Sequence, residues 1–324
     1  MQNLLLNKTA AAITFSWLLI PIISFAGPEE GRVKTYIIND SNKTVIGSVI
    51  KLLYEGEETL ADIAIRYGIG YAEISDANWG LDPEGPARGK ELIIPTQWVL
   101  PEIMEKGILV NLAELRLYYF ENNDKDGKYV TTFPIGIGRS GFSTPTGDFE
   151  VTLKIKDPEW YPPKTSREAN KDLPFVVPAG PDNPLGSRWI QLSLKGYGIH
   201  GTKVPSSIGK KISLGCIRLI NEDVEWLYER AYEGMPVKII NMPVKIGWIG
   251  GSSYIEVHRN GMSFKELEEE VWRKAKELGV DQDKPARLDM AAGQALGVPL
   301  LLTESIAKAG AVSTPVTIDK IISP

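Results

Sequence analysis

Apolar residues recur at Leu60, Ile63, Ala64 and Tyr67, the i, i+3, i+4, i+7 spacing of one helix face. Thr59 is placed to cap that helix and Gly68 to end it. A strand over 48–54 precedes it, with a turn at Gly56-Glu57-Glu58. A second helix over 71–78, with Ile74 and Ala77 inward, follows it. Pro83, Gly85, Pro86 and Gly89 then form a loop, and Leu92-Ile93-Ile94-Pro95 closes the unit as a strand. The pattern predicts a small βααβ module. Ahead of it, Lys34 to Ile38 reads as a short strand and Asp40-Ser41-Asn42 as a turn; behind it, 97–105 reads as a linker between Pro95 and Pro101.

From residue 107 the period changes to that of strands: 107–112, 114–121 (rich in Leu, Tyr and Phe), 128–137 after a polar hairpin turn, and 147–155. Residues 157–188 carry many prolines and little periodicity, which predicts a long loop beside the site, with Trp160, Tyr161 and Trp189 either lining a groove or packed under the loop. Strands at 189–194, 197–200 and 236–241 follow, and a helix at 221–233 with Asn221 as its cap and Val224, Leu227, Tyr228 and Ala231 inward. Asp223 sits in the positive first turn of that helix, a place that needs no catalytic role. Beyond 242 the sequence predicts a strand at 254–257, a charged helix at 263–278 with Phe264, Leu267, Val271 and Trp272 inward, and a helix near 285–296, with no assignable function.

The chain has 324 residues, of which 43% are hydrophobic and 24% charged, enough for two or three globular domains. A formal net charge of −5 gives none of the basic surface that nucleic acid requires. Residues 1–26 have a different character: Lys8, an apolar run from Ala10 to Phe25 broken by Pro21, and a small-x-small site at Ser24-Phe25-Ala26. They predict a cleaved signal peptide, hence export to the periplasm or cell envelope, with a retained anchor as the alternative. No cysteine follows the run, which excludes lipoprotein processing.

Export gives weight to the single cysteine, Cys216. It has no internal disulfide partner, and a free thiol in an oxidising compartment is a liability unless used. Sixteen residues before it stands His200, one of only two histidines. A straight strand would hold the two about 50 Å apart, but Gly201, Pro205, Ser206, Ser207 and Gly209 can fold the segment back. A thiol beside an imidazole is a minimal acyl-transfer pair. Gly215 permits a tight turn that aims backbone N–H groups at a reacting carbonyl. Arg218, two residues on, shares the cysteine's face in an extended segment and suits a substrate carboxylate. Taken singly, each has a plainer reading: a buried small hydrophobe, a structural imidazole, a turn glycine, a surface charge. His258 has no visible partner in the sequence and reads as structural or exposed. With one cysteine and two separated histidines, no metal site is expected, and no cofactor motif is present.

The segments H-G-T at 200–202, S-L-G-C-I-R-L at 213–219, Asp223, and F-P-I-G-I-G with S-T-P-T-G-D-F at 133–149 resemble the active-site signature of the L,D-transpeptidases, the YkuD domain, over roughly 106–241. The resemblance implies a mainly β catalytic domain of sandwich or barrel type with a short helix. It implies Cys216 as nucleophile, His200 as base oriented by the Gly201 carbonyl, oxyanion donors near Gly215 and Cys216, and Arg218, Ser213 and Thr202 as substrate contacts. One departure is Leu214, where the family often has histidine. The run G-E-E-T-L-A-D-I-A…N…G-K-E-L-I-I-P resembles a LysM module, which implies glycan contacts at Gly56, Glu57, Thr59, Leu60, Leu92, Ile93 and Ile94 unless these apolar residues are the module's own core. The expected organisation is signal peptide 1–26, LysM-like module 34–97, catalytic domain 106–241 and an α/β C-terminal extension 242–324. The implied partners are peptidoglycan stem peptides and glycan strands, with a stem amine, an envelope-protein lysine or water as acyl acceptor. A water acceptor would make the enzyme a carboxypeptidase. A non-catalytic wall-binding protein is the alternative of a different class; a papain-like protease is disfavoured because His precedes Cys.

Overall fold

The computed structural model describes residues 32–40, 43–123, 127–281 and 285–303. The expected signal peptide lies outside the described residues. Among those described, no helix is long and apolar enough to cross a membrane.

The central feature is a curled nine-stranded sheet. Its strands are β1 (Lys34–Ile37), β6 (Gly107–Asn111), β7 (Arg116–Asn123), β8 (Gly127–Pro134), β10 (Gly147–Lys156), β11 (Arg188–Leu192), β12 (Gly198–His200), β14 (Ile217–Arg218) and β15 (Pro236–Ile240), in the order β1-β8-β7-β6-β15-β10-β11-β12-β14. Outside it lie β2 (Val45–Gly47) paired with β5 (Gln97–Val99), β3 (Ile50–Leu53) with β4 (Glu91–Ile94), and β9 (Ile137–Gly138) with β13 (Lys211–Ser213). Helices α1 (Leu60–Tyr67) and α2 (Tyr71–Ala77) join β3 to β4. A short helix α3 (Lys164–Ala169) interrupts the 157–188 insert, and α4 (Asn221–Arg230) follows β14.

Alternation along β6 and β7 builds two cores. Ile108, Val110, Leu117 and Tyr119 face one, which is closed by Val224 and Leu227 of α4. Leu109, Tyr118 and Phe120 face the other, which they share with Leu60, Ile63, Ile74 and Leu92 of the βααβ unit. A sheet buried on both faces reads as an unbroken apolar run rather than as alternation, which is why 107–120 looks as it does.

Two expectations at the front of the chain change. Strand 34–37, assigned with the module, is instead an edge strand of the large sheet, with Lys34 opposite Thr132 and Ile37 opposite Tyr129. The 97–105 linker begins with β5, and Trp98 is fully buried, its Nε1 donating to Glu73 Oε1 at 2.9 Å. Both changes follow from the shared core: an apolar Trp-Val-Leu segment leaving the module is buried against its neighbour rather than left as a tether.

The C-terminal region is a three-stranded sheet of β16 (Val244–Ile249), β17 (Ser252–Val257) and β18 (Leu300–Thr303), covered by α5 (Phe264–Glu277) and α6 (Pro285–Gln294). Ser263 caps α5 through a capping box with Glu266. Phe264 is exposed, not inward, because as the first helical residue it lies beyond the stripe formed by Leu267, Val271 and Ala275. His258, for which the sequence offered no partner, is buried with Nε2 2.7 Å from Glu256 Oε1. Tertiary folding supplied a partner two residues away, across the end of a strand.

Candidate active site

Strands β12 and β14 are parallel neighbours, with Ile199 opposite Ile217 and His200 opposite Arg218. The intervening 201–216 segment folds back through a 3-10 turn at Pro205–Ser207 and the β13 strand. His200 thus ends one of two adjacent strands and Cys216 directly precedes the other. Cys216 lies one residue before β14, and the Gly198 backbone N–H acts to favour its thiolate. Its Sγ also lies 3.5 Å from the Gly196 carbonyl.

Gly215 has φ +114°, and a Cβ there would come within 2.7 Å of the Tyr197 ring, so both backbone and space require glycine. Its carbonyl accepts a hydrogen bond from Thr144 Oγ1 at 2.8 Å, and Thr144 Oγ1 accepts one from Gly138 N–H at 3.0 Å. In a trans peptide the carbonyl and the following N–H point opposite ways. Thr144 thus fixes the direction of the Cys216 N–H, which has no acceptor among the described residues. The Gly215 N–H, expected beside it as an oxyanion donor, is already given to Ser213 Oγ at 3.1 Å. Thr144 was not singled out in the sequence, although it lies in the S-T-P-T-G-D-F run; a threonine's acceptor cannot be read from a run of turn residues.

His200 is buried and stacks on Trp189, ring centroids 5.7 Å apart and planes at 26°. This settles the place of Trp189: it packs against the site histidine. His200 Nδ1 is 2.6 Å from the Gly201 carbonyl. A carbonyl only accepts, so Nδ1 carries the proton and Nε2 is the basic nitrogen. Burial, with the Arg218 charge adding to it, pushes the imidazole down to about 4. Burial also raises the Cys216 thiol, against the opposing pull of the Gly198 N–H and Arg218. Both shifts favour the uncharged forms, a neutral thiol and a neutral imidazole.

Arg218 is half-buried, makes no ion pair among the described residues, and its Nε lacks a hydrogen-bond partner. It is a fixed cation without an anion. Leu214 is part-exposed at the same turn. Two expected substrate contacts have other work. Ser213 is buried, and its Oγ donates to the Cys216 carbonyl at 2.6 Å. Thr202 is buried, and its Oγ1 accepts from Val204 N–H at 3.1 Å. Both satisfy the backbone of the tight loop that carries the thiol. Asn221 is not the cap of α4, since Ile220 holds that position; its Oδ1 accepts from Thr202 N–H and Ser187 N–H, tying the His200 loop to the insert. Asp223 is buried and bonded to Arg32 at 2.8 Å; burial raises its carboxyl to about 7 against that pull.

In the front unit, Thr59 caps α1 as expected, in a capping box with Asp62, and Gly68 closes it at φ 64°. The side chains of Leu60, Leu92 and Ile94 are buried, which leaves them core residues rather than glycan contacts. The backbone of Ile93 is occupied by the Asn78 side chain through N–H and carbonyl bonds of 2.8 and 2.7 Å. Gly56 and Glu57 are exposed.

Comparison with known proteins bears on this arrangement. Residues 105–239 match the model of the L,D-transpeptidase catalytic domain, YkuD, and residues 56–95 match the LysM domain. The chain is 40% identical over 233 residues to the probable L,D-transpeptidase ErfK/SrfK of Escherichia coli K12, spanning 69% of this chain and 74% of that one. The chain belongs to the L,D-transpeptidase family. It is also 40% identical over 210 residues to the probable L,D-transpeptidase YcfS of the same strain, covering 62% of this chain and 65% of that one. Among solved structures it is similar to the catalytic domain of an E. faecium L,D-transpeptidase, 25% identical, covering 43% of this chain and 100% of that one with a TM-score of 0.33. As an L,D-transpeptidase the chain is an enzyme, and its single thiol lies inside the matched catalytic segment.

Proposed function

We propose that the chain is a peptidoglycan L,D-transpeptidase of the cell envelope that works through a thioester on Cys216. The observation that carries this is the placing of a tautomer-fixed histidine and an arginine with no ion pair among the described residues on two adjacent parallel strands, with the only cysteine one residue before the second. The donor is a stem tetrapeptide. Sγ attacks the carbonyl between an L-configured centre and the terminal D-residue as His200 Nε2 takes the thiol proton. The Cys216 N–H meets the tetrahedral oxyanion. His200 then returns the proton to the departing amine, the C–N bond breaks, and a terminal D-amino acid leaves the thioester behind. An acceptor amine attacks, its proton passes through His200 to Sγ, and the C–S bond breaks. Arg218 takes a carboxylate of the stem peptide. The LysM module holds the enzyme on glycan strands.

The test combines purified protein with isolated muropeptides and identifies products by mass. Cys216→Ala retains the fold and loses all acyl transfer, while the wild type gains one acyl mass on the cysteine peptide. Full turnover by Cys216→Ala would refute the assignment. The products also name the acceptor: a cross-linked dimer, a peptide-bearing protein lysine, or a shortened stem from water.

A further inference from the structure

A cavity of about 200 Å³ that Cys216 does not line lies where three parts of the chain meet: α2 through Asp76, β13 through Lys211, and the turn after β17 through His258, Arg259 and Asn260. Most of its polar groups are already satisfied. Glu73 is held by Arg116 and Trp98, and Glu114 by Lys245 and Tyr118. His258 is bonded to Glu256, and Asn260 bridges Lys211 and Asn241. Two groups fall short. Asp76 is half-buried and makes no hydrogen bond among the described residues, though the charges of His258 and Arg259 act on it. Lys211 is exposed, and among the described residues its Nζ is bonded to Asn260 Oδ1 alone, at 2.6 Å. Neither is sealed from water, so a ligand that displaces solvent here has to supply each with a partner.

The charges narrow what could supply one. A cation would face Lys211 and Arg259, and an anion would face Asp76. A neutral ligand whose groups both donate and accept satisfies the acceptor-only carboxylate and the donor-only ammonium together. Hydroxyl groups have that property. Beside the cavity stands Trp79, three residues after Asp76, at 80% exposure the second most exposed large hydrophobic side chain described. The Arg259 guanidinium, which lines the cavity, is 5.8 Å from the Trp79 ring centroid. An exposed indole face next to a hydroxyl-matched pocket accepts the C–H face of a pyranose while the ring's hydroxyls turn inward. The volume is below the about 300 Å³ at which drug-sized pockets begin, so it has room for one sugar ring.

We propose that this cavity and Trp79 form a subsite for one neutral sugar ring. The site takes Lys211 and Arg259 from outside 56–95 and uses none of the Gly56–Thr59 loop. It therefore exists only where the module, catalytic domain and C-terminal unit are joined. That the sugar belongs to a peptidoglycan strand rests on the function proposed above; the pocket chemistry does not.

Isothermal titration of the full chain with N-acetylglucosamine oligomers, and with unacetylated glucose oligomers as a second arm, tests it. The wild type binds at least one series saturably. Trp79→Ala weakens binding at least tenfold, and Asp76→Asn and Lys211→Met each several-fold. All three keep the wild-type melting temperature and turn over a soluble, sugar-free stem peptide within twofold. Tighter binding of the acetylated series identifies the wall glycan; equal binding leaves a general sugar site. Cys216→Ala binds as the wild type does, so a failed chemical assignment leaves this result standing. No saturable binding by the wild type, or wild-type affinity in both Trp79→Ala and Asp76→Asn, overturns the proposal.

Discussion

At the residue scale, Arg218 is the clearest case of a group whose partner is missing from the protein itself. A bidentate pair with a substrate carboxylate, shielded from water, is worth about 1.5–3 kcal/mol, or roughly 10- to 150-fold in kcat/KM. Arg218→Ala is expected to lose that factor and Arg218→Lys to recover part of it, because lysine keeps the charge but not the fork. Amidating the matching substrate carboxylate should cost the wild type as much as Arg218→Ala does and cost the variant little. Additive losses would instead make Arg218 a brace for the loop. The same residue tunes His200. Since burial and Arg218 hold the imidazole near 4, the neutral base persists well below pH 6.5, and the acid limb of kcat/KM should lie near 4. Removing the Arg218 charge moves that limb to higher pH, which a pH–rate profile measures. Thr144 acts one step back, through the Gly215 carbonyl. Thr144→Val should lower kcat roughly tenfold to hundredfold with KM nearly unchanged, less than losing a direct oxyanion donor, and Thr144→Ser should restore it. Cys216, His200 and Arg218 stand out in the sequence because their chemistry is rare or their spacing distinctive, and Gly201 stands out through the family resemblance; their roles are those proposed above. Ser213, Thr202, Asn221 and Thr144 do not, since their task is to satisfy particular backbone groups, and which groups those are is known only once the loop has folded.

At the scale of elements, α1, β6, β7 and α5 could be read directly from period and caps. What they pack against could not. The apolar run in β6 and β7 signals burial on two faces, but nothing in it says that α1 and α2 cover the second. The decisive contact there is polar. Arg116, fully buried on β7, gives Nε and Nη2 to Glu73 of α2 at 2.7–3.1 Å, and stacks on Trp98 with its guanidinium carbon 4.1 Å from the ring centroid. Burial disfavours the charged guanidinium, and Glu73 outweighs it, so Arg116 stays firmly protonated. Glu73→Ala should therefore destabilise the protein by about 3–5 kcal/mol, because it strands a buried cation. Pairing it with Arg116→Met should recover much of that loss, as a buried ion pair is often no better than apolar side chains of similar volume. Urea unfolding of the wild type, the single variant and the double variant decides this. If the double variant is no more stable than the single, the pair's value lies in its hydrogen bonds to Trp98 and the Gly68 carbonyl rather than in its charges.

At the scale of the whole molecule, the region beyond 242 is bound to both other units. Val99 N–H donates to Glu256 Oε2 at 2.6 Å, and Thr44 bonds the Trp248 backbone in both directions at 2.9 Å. At the centre is Lys245, fully buried, with Nζ 2.6 Å from Glu114 Oε2 on the catalytic side and 3.0 Å from Glu256 Oε1 on its own sheet. Carboxylate oxygens of Glu114 and Glu256 and a ring nitrogen of His258 all lie within 4.8 Å of one another, a donor set that could suit a metal ion. The Lys245 ammonium already holds the cationic position between the two carboxylates. Burial would raise the Glu256 carboxyl, but Lys245, His258 and the Val99 N–H outweigh it and hold it below the usual range. A depressed carboxyl contributes stability that is present above its unfolded pKa and lost as pH falls through the folded one. Lys245→Met keeps the stem's bulk and removes the charge, leaving two buried carboxylates facing each other. At pH 7–8 the variant should lose about 3–5 kcal/mol, the cost of breaking a buried pair from one side. As pH falls toward 5, one carboxyl of the variant takes up a proton that the wild type refuses, so the difference in melting temperature between the two should narrow. A difference that stays constant from pH 8 to pH 5 would mean that Lys245 joins the catalytic and C-terminal units by packing alone.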